Sequence, residues 1–203
     1  MTASMKMACL DLEWVLIPEI WEELGKLTWI QDFMLTTRDI SDYDVLMKMR
    51  LQKMEENNLT LTSIKEIVWT LEPLYWAIEF MKWLRERMQV TILTGSYYEY
   101  IMPLLEKLDY PCTFANWLQV ENDKIVWYSL REPDWKIEMI NRFHAAGFET
   151  IAIWDSYNDL AMIEAATKWI FFRPAPKLEE EMNGRFTITH NYEQLKIELK
   201  KII

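Results

Sequence analysis

Glycine is the residue that this chain lacks most. Only 4 of its 203 residues are glycine, where average usage of about 7% would give roughly 14. The only two cysteines, Cys9 and Cys112, are far apart, which excludes a disulfide-stapled scaffold, and we expect both to be small buried hydrophobic residues. No apolar run of about 18 residues and no secretory signal is found, so we expect a cytoplasmic protein with no membrane span.

Positive charge is the second shortage. Lys and Arg number 22 against 32 Asp and Glu, a formal net charge of −10. Nucleic acids and anionic lipids are bound by basic side chains that neutralise phosphates, so this balance argues against both partners. It favours small-molecule chemistry. The length fits one domain with room for a small insertion.

Tryptophan and methionine are abundant instead, with 11 and 13 residues. Proteins with α/β folds need glycine at tight turns and where the backbone approaches a ligand. A chain with so little glycine and so much tryptophan therefore has the composition of a computationally redesigned or heavily substituted protein.

The order of apolar patterns predicts an α/β fold. Strands are predicted at 7–13, 89–95, 150–154 and 169–172, with a hairpin of strands at 114–120 and 124–130. Helices are predicted from 73 through 84 and at 97–109, 133–146, 158–166 and 191–201, and the apolar spacing of 18–74 is helical throughout. This alternation indicates a doubly wound, mostly parallel sheet with its ligands at the carboxyl ends of the strands. We expect a core formed by 1–17 and 75–203 and a helical cap formed by 18–74.

Two acidic motifs stand at predicted strand ends. Asp11 and Glu13 close the first strand, and Asp155 and Asp159 follow the strand at 150–154. Crowded carboxylates stay ionised only if positive charge lies among them, and Mg²⁺ is a hard cation that prefers oxygen ligands. The sequence therefore predicts a metal and phosphate site. Each motif alone is also compatible with a solvated strand end or a helix N-cap.

Three further elements lie near predicted strand ends or on helices. Thr94 and Gly95 end the strand at 89–95, Lys136 lies in the first turn of a helix, and Arg50 lies in the helical insertion. Taken singly, they are an ordinary strand exit and two solvated charges. The histidines, His144 and His190, neighbour no acidic motif, so packing or surface roles are expected for them.

Together these motifs resemble the haloacid dehalogenase-like phosphohydrolases, and within them the phosphoserine phosphatases, including the bacterial enzymes that also transfer phosphate from phosphoserine to homoserine. The resemblance is carried by Ala8-Cys-Leu-Asp-Leu-Glu13, Pro18-Glu-Ile-Trp21, Thr36-Thr-Arg-Asp-Ile40, Asp42-Tyr-Asp-Val-Leu-Met-Lys48 with Arg50-Leu51, Trp83-Leu-Arg-Glu-Arg87 and Asp155-Ser-Tyr-Asn-Asp159. It spans most of the chain. The helical insertion also stands where that family has its cap.

The resemblance implies the chemistry of the site. Asp11 would be the nucleophile that forms an aspartyl-phosphate, and Glu13 would be the general acid and then the general base. Mg²⁺ would be held by Asp11, Asp155 and the backbone carbonyl of Glu13, with Asp159 in support.

The resemblance also implies how a substrate is held. The phosphoryl group would be bound by Thr94, Gly95, Lys136 and Asn158. The ammonium and carboxylate of a small phosphorylated amino acid would be bound by Glu19 and Arg50. Whether water or homoserine accepts the phosphoryl group, and whether the chain forms a homodimer, both stay open.

Two tryptophans stand where the family has glycine. Trp14 is expected to intrude on the pocket, or to twist its loop if that position needs a positive φ. Trp154 is expected to point away from Asp155 and to press on the helix layer. The alternative to an enzyme is therefore a redesigned scaffold that keeps the fold with little or no activity. A receiver-like module phosphorylated on one aspartate is a further alternative, which the long helical insertion disfavours.

Overall fold

A seven-stranded sheet forms the centre of the protein. The structure is a computed structural model that describes residues 5–37, 39–40, 42–132, 134–156, 165–182, 184 and 186–203. The strands are β1 (Met5–Leu10), β2 (Gln89–Tyr97), β3 (Cys112–Glu121), β4 (Lys124–Ser129), β5 (Phe148–Trp154), β6 (Lys168–Phe172) and β7 (Thr187–Thr189). Their order is β4-β3-β2-β1-β5-β6-β7, and every neighbouring pair is parallel except the β3–β4 hairpin. The predicted doubly wound, mostly parallel sheet is confirmed.

Helices connect the strands and cover the sheet. The described helices are α1 (Ile20–Thr28), α2 (Tyr43–Glu56), α3 (Leu61–Thr70), α4 (Ala77–Arg85), α5 (Tyr98–Lys107), α6 (Trp135–Ala145), α7 (Pro176–Met182) and α8 (Tyr192–Lys200), with a 3₁₀ turn at Gln31–Met34. The first three helices lie between β1 and β2, inside the predicted insertion. Its exact bounds, 18–74, stay a prediction. None of the described helices is both long and apolar enough to span a bilayer.

The inserted helices start at side-chain caps and contact the hairpin. Asp42 accepts the Val45 N–H at the start of α2, and Thr60 forms a capping box with Ser63 at the start of α3. The hairpin turn meets α3 at its first residues, because Asp123 accepts the Leu61 N–H at 2.8 Å through its backbone carbonyl. These contacts satisfy helix N–H groups that would otherwise lack partners, and they fix α3 against the core.

The central strand is covered on both faces. Ala8 and Leu10 of β1 belong to one apolar cluster, while Met7 and Cys9 belong to the other. Because successive side chains of a strand point to opposite faces, helices must lie on both sides of β1. Cys9 is buried as predicted. Cys112 is exposed, so that prediction was wrong: it is the first residue of β3, directly after the connection from α5.

Other differences from the predicted elements are local. The first strand ends at Leu10, so the two acidic residues after it lie in a loop, and β2 continues through Gly95 to Tyr97. Helix α7 and the three-residue strand β7 were not predicted, because both are short and carry little apolar periodicity. The helix predicted at 158–166 lies almost entirely outside the described residues.

The last helix fixes the loop that follows β1. The hydroxyl of Tyr192, in the first turn of α8, donates a 2.7 Å hydrogen bond to the carbonyl of Val15. The Tyr192 ring stacks between Phe80 of α4 and Phe172 of β6, at centroid distances of 4.9 and 4.8 Å. This loop carries the first acidic motif, so its position depends on a residue near the carboxyl terminus.

Replacing Tyr192 with phenylalanine tests this anchor. Tyr192→Phe leaves the buried Val15 carbonyl without its donor, which is expected to cost about 1–3 kcal/mol of stability. At about 2–4 °C per kcal/mol for chains of this size, thermal unfolding should show a clear drop. Tyr75→Phe is the matched control, because Tyr75 is 80% exposed, and it should leave Tm unchanged. Equal Tm values for the two variants would contradict the anchoring role of the Tyr192 hydroxyl.

Candidate active site

A cavity of about 440 Å³ opens at the carboxyl ends of the central strands. Its described walls come from the loop after β1, the segment before α2, the ends of β2 and β5, the inserted helices α1 and α2, and the first turns of α5 and α6. This is the edge at which open α/β sheets bind their ligands.

The two acidic strand ends meet in this cavity. Asp11 follows Leu10 on β1, and its N–H donates to the Ile153 carbonyl of β5 at 3.1 Å. One Asp11 oxygen accepts the Leu12 N–H at 2.7 Å. Asp155 follows β5 and is only 4% exposed, and both carboxylates line the cavity. They come together because β1 and β5 are parallel neighbours.

A tight loop presents the next residues of the first motif. Trp14 N–H donates to the Ile17 carbonyl and Leu16 N–H to the Leu12 carbonyl, both at 2.8 Å. Trp14 has a φ of 63°, the left-handed region that is uncommon for residues other than glycine. Its indole lines the cavity and is 37% exposed. The site therefore keeps a glycine-like backbone but has an aromatic wall at this position.

The two carboxylate oxygens of Glu13 each accept a hydrogen bond. Ser96 donates its hydroxyl to Oε2 at 2.7 Å, and the Ile20 N–H reaches Oε1 at 3.3 Å. Burial raises the pKa of Glu13, while these two hydrogen bonds and the positive charges of Arg50 and Lys136 act in the opposite direction. The group is thus oriented and biased toward holding a proton, which a general acid requires.

Ser96 is a site residue that the sequence did not single out. The predicted phosphate ligand Thr94 is fully buried, and its Oγ1 accepts the Ser96 N–H at 3.1 Å. Gly95 and Ser96 line the cavity, whereas Thr94 is not among its described lining residues. Gly95 is fixed by Asn116, which donates to its carbonyl at 2.7 Å, and a Cβ at Gly95 would meet nothing within 4 Å. The sequence signal that could have identified Ser96 was its hydroxyl, two positions after the predicted phosphate ligand Thr94.

The insertion contributes Arg50 of α2 and Glu19, the residue directly before α1. Arg50 is 4% exposed, donates from Nη2 to the Leu35 carbonyl at 2.9 Å, and stacks over the Trp21 ring at 4.4 Å. Its Nε is buried and finds no hydrogen-bond partner among the described residues. A buried charged donor without an acceptor is costly unless a ligand completes it, so Arg50 has the character of an anion-binding group.

Negative charge dominates the described cavity walls. The carboxylates are Asp11, Glu13, Glu19, Glu22 and Asp155, against the two cations Arg50 and Lys136. Burial raises the pKa of Glu19 well above its usual value, and the negative charge of Glu13 raises it further. A hard cation would relieve this repulsion, and Asp11 and Asp155 supply oxygen ligands of the type that Mg²⁺ prefers.

The full ligand set implied by the resemblance is not visible. Among the described residues, no three His, Cys, Asp or Glu side chains form a metal-binding group. The predicted ligand Asp159 and the predicted phosphate contact Asn158 lie outside the described residues. Asp11 and Asp155 are the two described side chains of the implied ligand set, and their carboxylate oxygens suit Mg²⁺.

Tyrosines of α2 and α5 form part of the cavity wall. Tyr43 and Tyr100 line it, and the Tyr43 hydroxyl lies 2.7 Å from that of Tyr97. Burial raises the pKa of Tyr43 to about 12, so these hydroxyls stay neutral at physiological pH. They contribute hydrogen-bonding groups without adding charge to an already acidic site.

The histidines take structural roles, as expected. His144 Nε2 lies 2.7 Å from the Thr150 hydroxyl and ties α6 to β5, and His190 pairs with Glu179 at 3.3 Å. Neither is among the described residues that line the cavity.

A mostly parallel sheet with an aspartate after its first strand, a second acid after a neighbouring strand and helices inserted between β1 and β2 is the architecture of the haloacid dehalogenase-like phosphohydrolases that the motifs resemble. Relatives agree. The chain is 43% identical over 198 residues to the phosphoserine phosphatase ThrH of Pseudomonas aeruginosa, covering 97% of this chain and 96% of that one. It is 41% identical over 199 residues to a phosphoserine phosphatase of Pseudomonas syringae pv. tomato, covering 98% and 84%.

Solved structures share the fold at lower identity. A phosphoserine phosphatase in apo form superposes with a TM-score of 0.76 at 20% identity, covering 97% of this chain and 98% of that one. A substrate-bound phosphoserine phosphatase gives 0.73 at 18% identity with the same coverage. No family model matches the chain.

This chain belongs to the phosphoserine phosphatase family of the haloacid dehalogenase-like superfamily. Identity of this extent over nearly the full length confirms the resemblance of the motifs. It also removes the receiver-like alternative. The alternative of an inactive redesigned scaffold finds no support in these comparisons.

Replacing Glu19 with glutamine tests the electrostatic strain of the cavity. The folded-state pKa of Glu19 lies above that of the unfolded chain, so the destabilisation is absent below about pH 4 and grows as the pH rises. Glu19→Gln should therefore raise Tm at pH 8 in EDTA, by about 2–4 °C if the relief is near 1 kcal/mol. It should have little effect at pH 4.

Glu23→Gln is the control for Glu19→Gln. It removes the same charge from the same helix, but Glu23 pairs with Lys26 at the surface, and such pairs contribute about 0–1 kcal/mol. This control should leave Tm unchanged or slightly lower at both pH values. A gain for Glu19→Gln that is equal at pH 4 and pH 8 would show that charge repulsion is not its source.

Proposed function

We propose that the protein is a Mg²⁺-dependent phosphatase and phosphotransferase that acts on phosphoserine through a covalent intermediate on Asp11. The observation that carries this proposal is the convergence of Asp11, Glu13 and Asp155 in one cavity with Lys136 and Arg50. The names of the two curated relatives support the substrate.

The reaction is two displacements at phosphorus. A carboxylate oxygen of Asp11 attacks the phosphorus, the bond to the serine oxygen breaks, and Glu13 gives its proton to that departing oxygen. Glu13, now ionised, takes a proton from water or from a small alcohol such as homoserine, whose oxygen then attacks the phosphorus of the aspartyl-phosphate. This second step releases the phosphoryl group and restores Asp11 as a free carboxylate.

Positive charge stabilises the transferring phosphoryl group. Lys136 would pair with its oxygens, with Thr94, Gly95 and Asn158 in support. Mg²⁺, held by Asp11, Asp155 and the Glu13 carbonyl with help from Asp159, would supply further charge neutralisation. The excess of carboxylates in the described walls supports a cation at this position.

The insertion would recognise the amino-acid part of the substrate. Arg50 Nε is a buried donor without a partner among the described residues, which suits a carboxylate, and Glu19 suits an ammonium group. We therefore propose residues 18–74 as a substrate-binding cap. We also propose a cytoplasmic location, supported by two free thiols; a homodimer stays a prediction.

Replacing Asp11 with asparagine tests the nucleophile. Asp11→Asn should abolish Mg²⁺-dependent phosphate release from L-phosphoserine, because the amide is not a nucleophile toward phosphorus; a loss of at least about 10³-fold is expected, equivalent to about 4 kcal/mol. Asp109→Asn is the matched control, since Asp109 is exposed at a surface turn where its φ of 61° also suits asparagine. Activity that survives Asp11→Asn would exclude this mechanism.

Replacing Arg50 with lysine tests carboxylate recognition. Arg50→Lys keeps the charge but removes the Nε donor, so KM for L-phosphoserine should rise by about 10-fold or more, the effect of losing one charged hydrogen bond. Phosphoethanolamine lacks the carboxylate, so its kcat/KM should hardly change. Arg87→Lys, at an exposed position on Trp83, controls for the substitution itself. An equal loss with both substrates would contradict this role.

A further inference from the structure

Lys136 reaches the cavity alongside a buried aromatic ring. It lies in the first turn of α6, and its ammonium nitrogen is 5.0 Å from the centroid of the Trp154 indole. Trp154 is fully buried, in the apolar cluster that contains Ile140 of α6. The ring is therefore fixed by packing, while Lys136 lines the cavity.

An indole face is the best aromatic partner for an ammonium group, and the attraction grows where water is excluded. A lysine side chain has many rotamers, and a positively charged group that must meet a phosphoryl oxygen works best from one of them. A buried ring beside the ammonium restricts that freedom without neutralising the charge.

The strand places this ring and the acidic group on opposite faces. Trp154 is the last residue of β5 and Asp155 follows it, so their side chains point to opposite sides of the sheet. Asp155 enters the cavity, and Trp154 faces α6. One dipeptide thus fixes both an oxygen ligand and the surface on which the phosphate-binding lysine lies.

We infer that Trp154 is a positioning residue for phosphate capture: its indole face holds the ammonium of Lys136 at the cavity wall. The inference rests on the proposed function, in which Lys136 binds the transferring phosphoryl group. The inference gives the large aromatic side chain at the end of β5 a role in the site.

A double-mutant cycle tests this inference. Inorganic phosphate binding is measured by titration calorimetry in Mg²⁺ for wild type, Trp154→Met, Lys136→Met and the double variant, with Tm recorded for each. Methionine fills much of the space without an aromatic face. Trp154→Met should weaken phosphate binding by about 3- to 30-fold, and Trp154→Phe should recover part of this. In the Lys136→Met background the tryptophan change should add nothing.

Trp169→Met is the control for the loss of an indole. Trp169 packs against the same apolar cluster but contacts Phe186, so its replacement should leave phosphate binding unchanged. If Trp154→Met does not fold, Trp154→Phe takes its place in the cycle, with a smaller loss that is still absent in the Lys136→Met background.

The outcomes separate the two proposals. Unchanged phosphate binding in Lys136→Met would overturn the phosphate role of that lysine and the inference with it. A loss in Lys136→Met with none in Trp154→Met, or equal losses from Trp154→Met in both backgrounds, would overturn the inference alone and leave the proposed function standing.

Discussion

Repulsion between carboxylates at the carboxyl edge of a parallel sheet is the constraint on which the site depends. Asp11 and Asp155 enter one cavity because β1 and β5 are neighbours in parallel register. Burial raises the pKa of Glu19, and the negative charges of its neighbours raise it further, because crowded carboxylates repel one another. A cation would bring the opposite charge that relieves this repulsion.

Trp14 and Trp154 stand where the family has glycine, and they show two ways in which a site can accommodate a large side chain. Trp14 keeps the left-handed backbone and places its ring at the cavity wall, so the loop geometry is preserved at a cost in local strain. Trp154 turns its ring into the core on the far side of the strand. In neither case does the side chain separate the acidic groups. The scarcity of glycine in the chain is thus compatible with an assembled site.

The sequence predicted the features that depend on local pattern. Strand runs that stop at acids placed Asp11 and Asp155 correctly at the same edge, and helical spacing located the insertion. It did not predict Ser96, because the hydrogen bond to Glu13 joins residues 83 positions apart. Gly95 was expected to end its strand, yet β2 continues to Tyr97, which pairs with Asn116 of the neighbouring strand. Partners that only tertiary structure supplies have no signature in local sequence.

The hydrogen bond from Tyr192 to Val15 spans 177 positions, which has a consequence for synthesis on the ribosome. The loop that carries Asp11 is made early, but its anchor follows β5 and β6 in the chain. A nascent chain therefore carries Asp11 in an unfinished setting until Tyr192 has been added. The geometry of the loop after β1 thus depends on a residue that is made after all seven described strands.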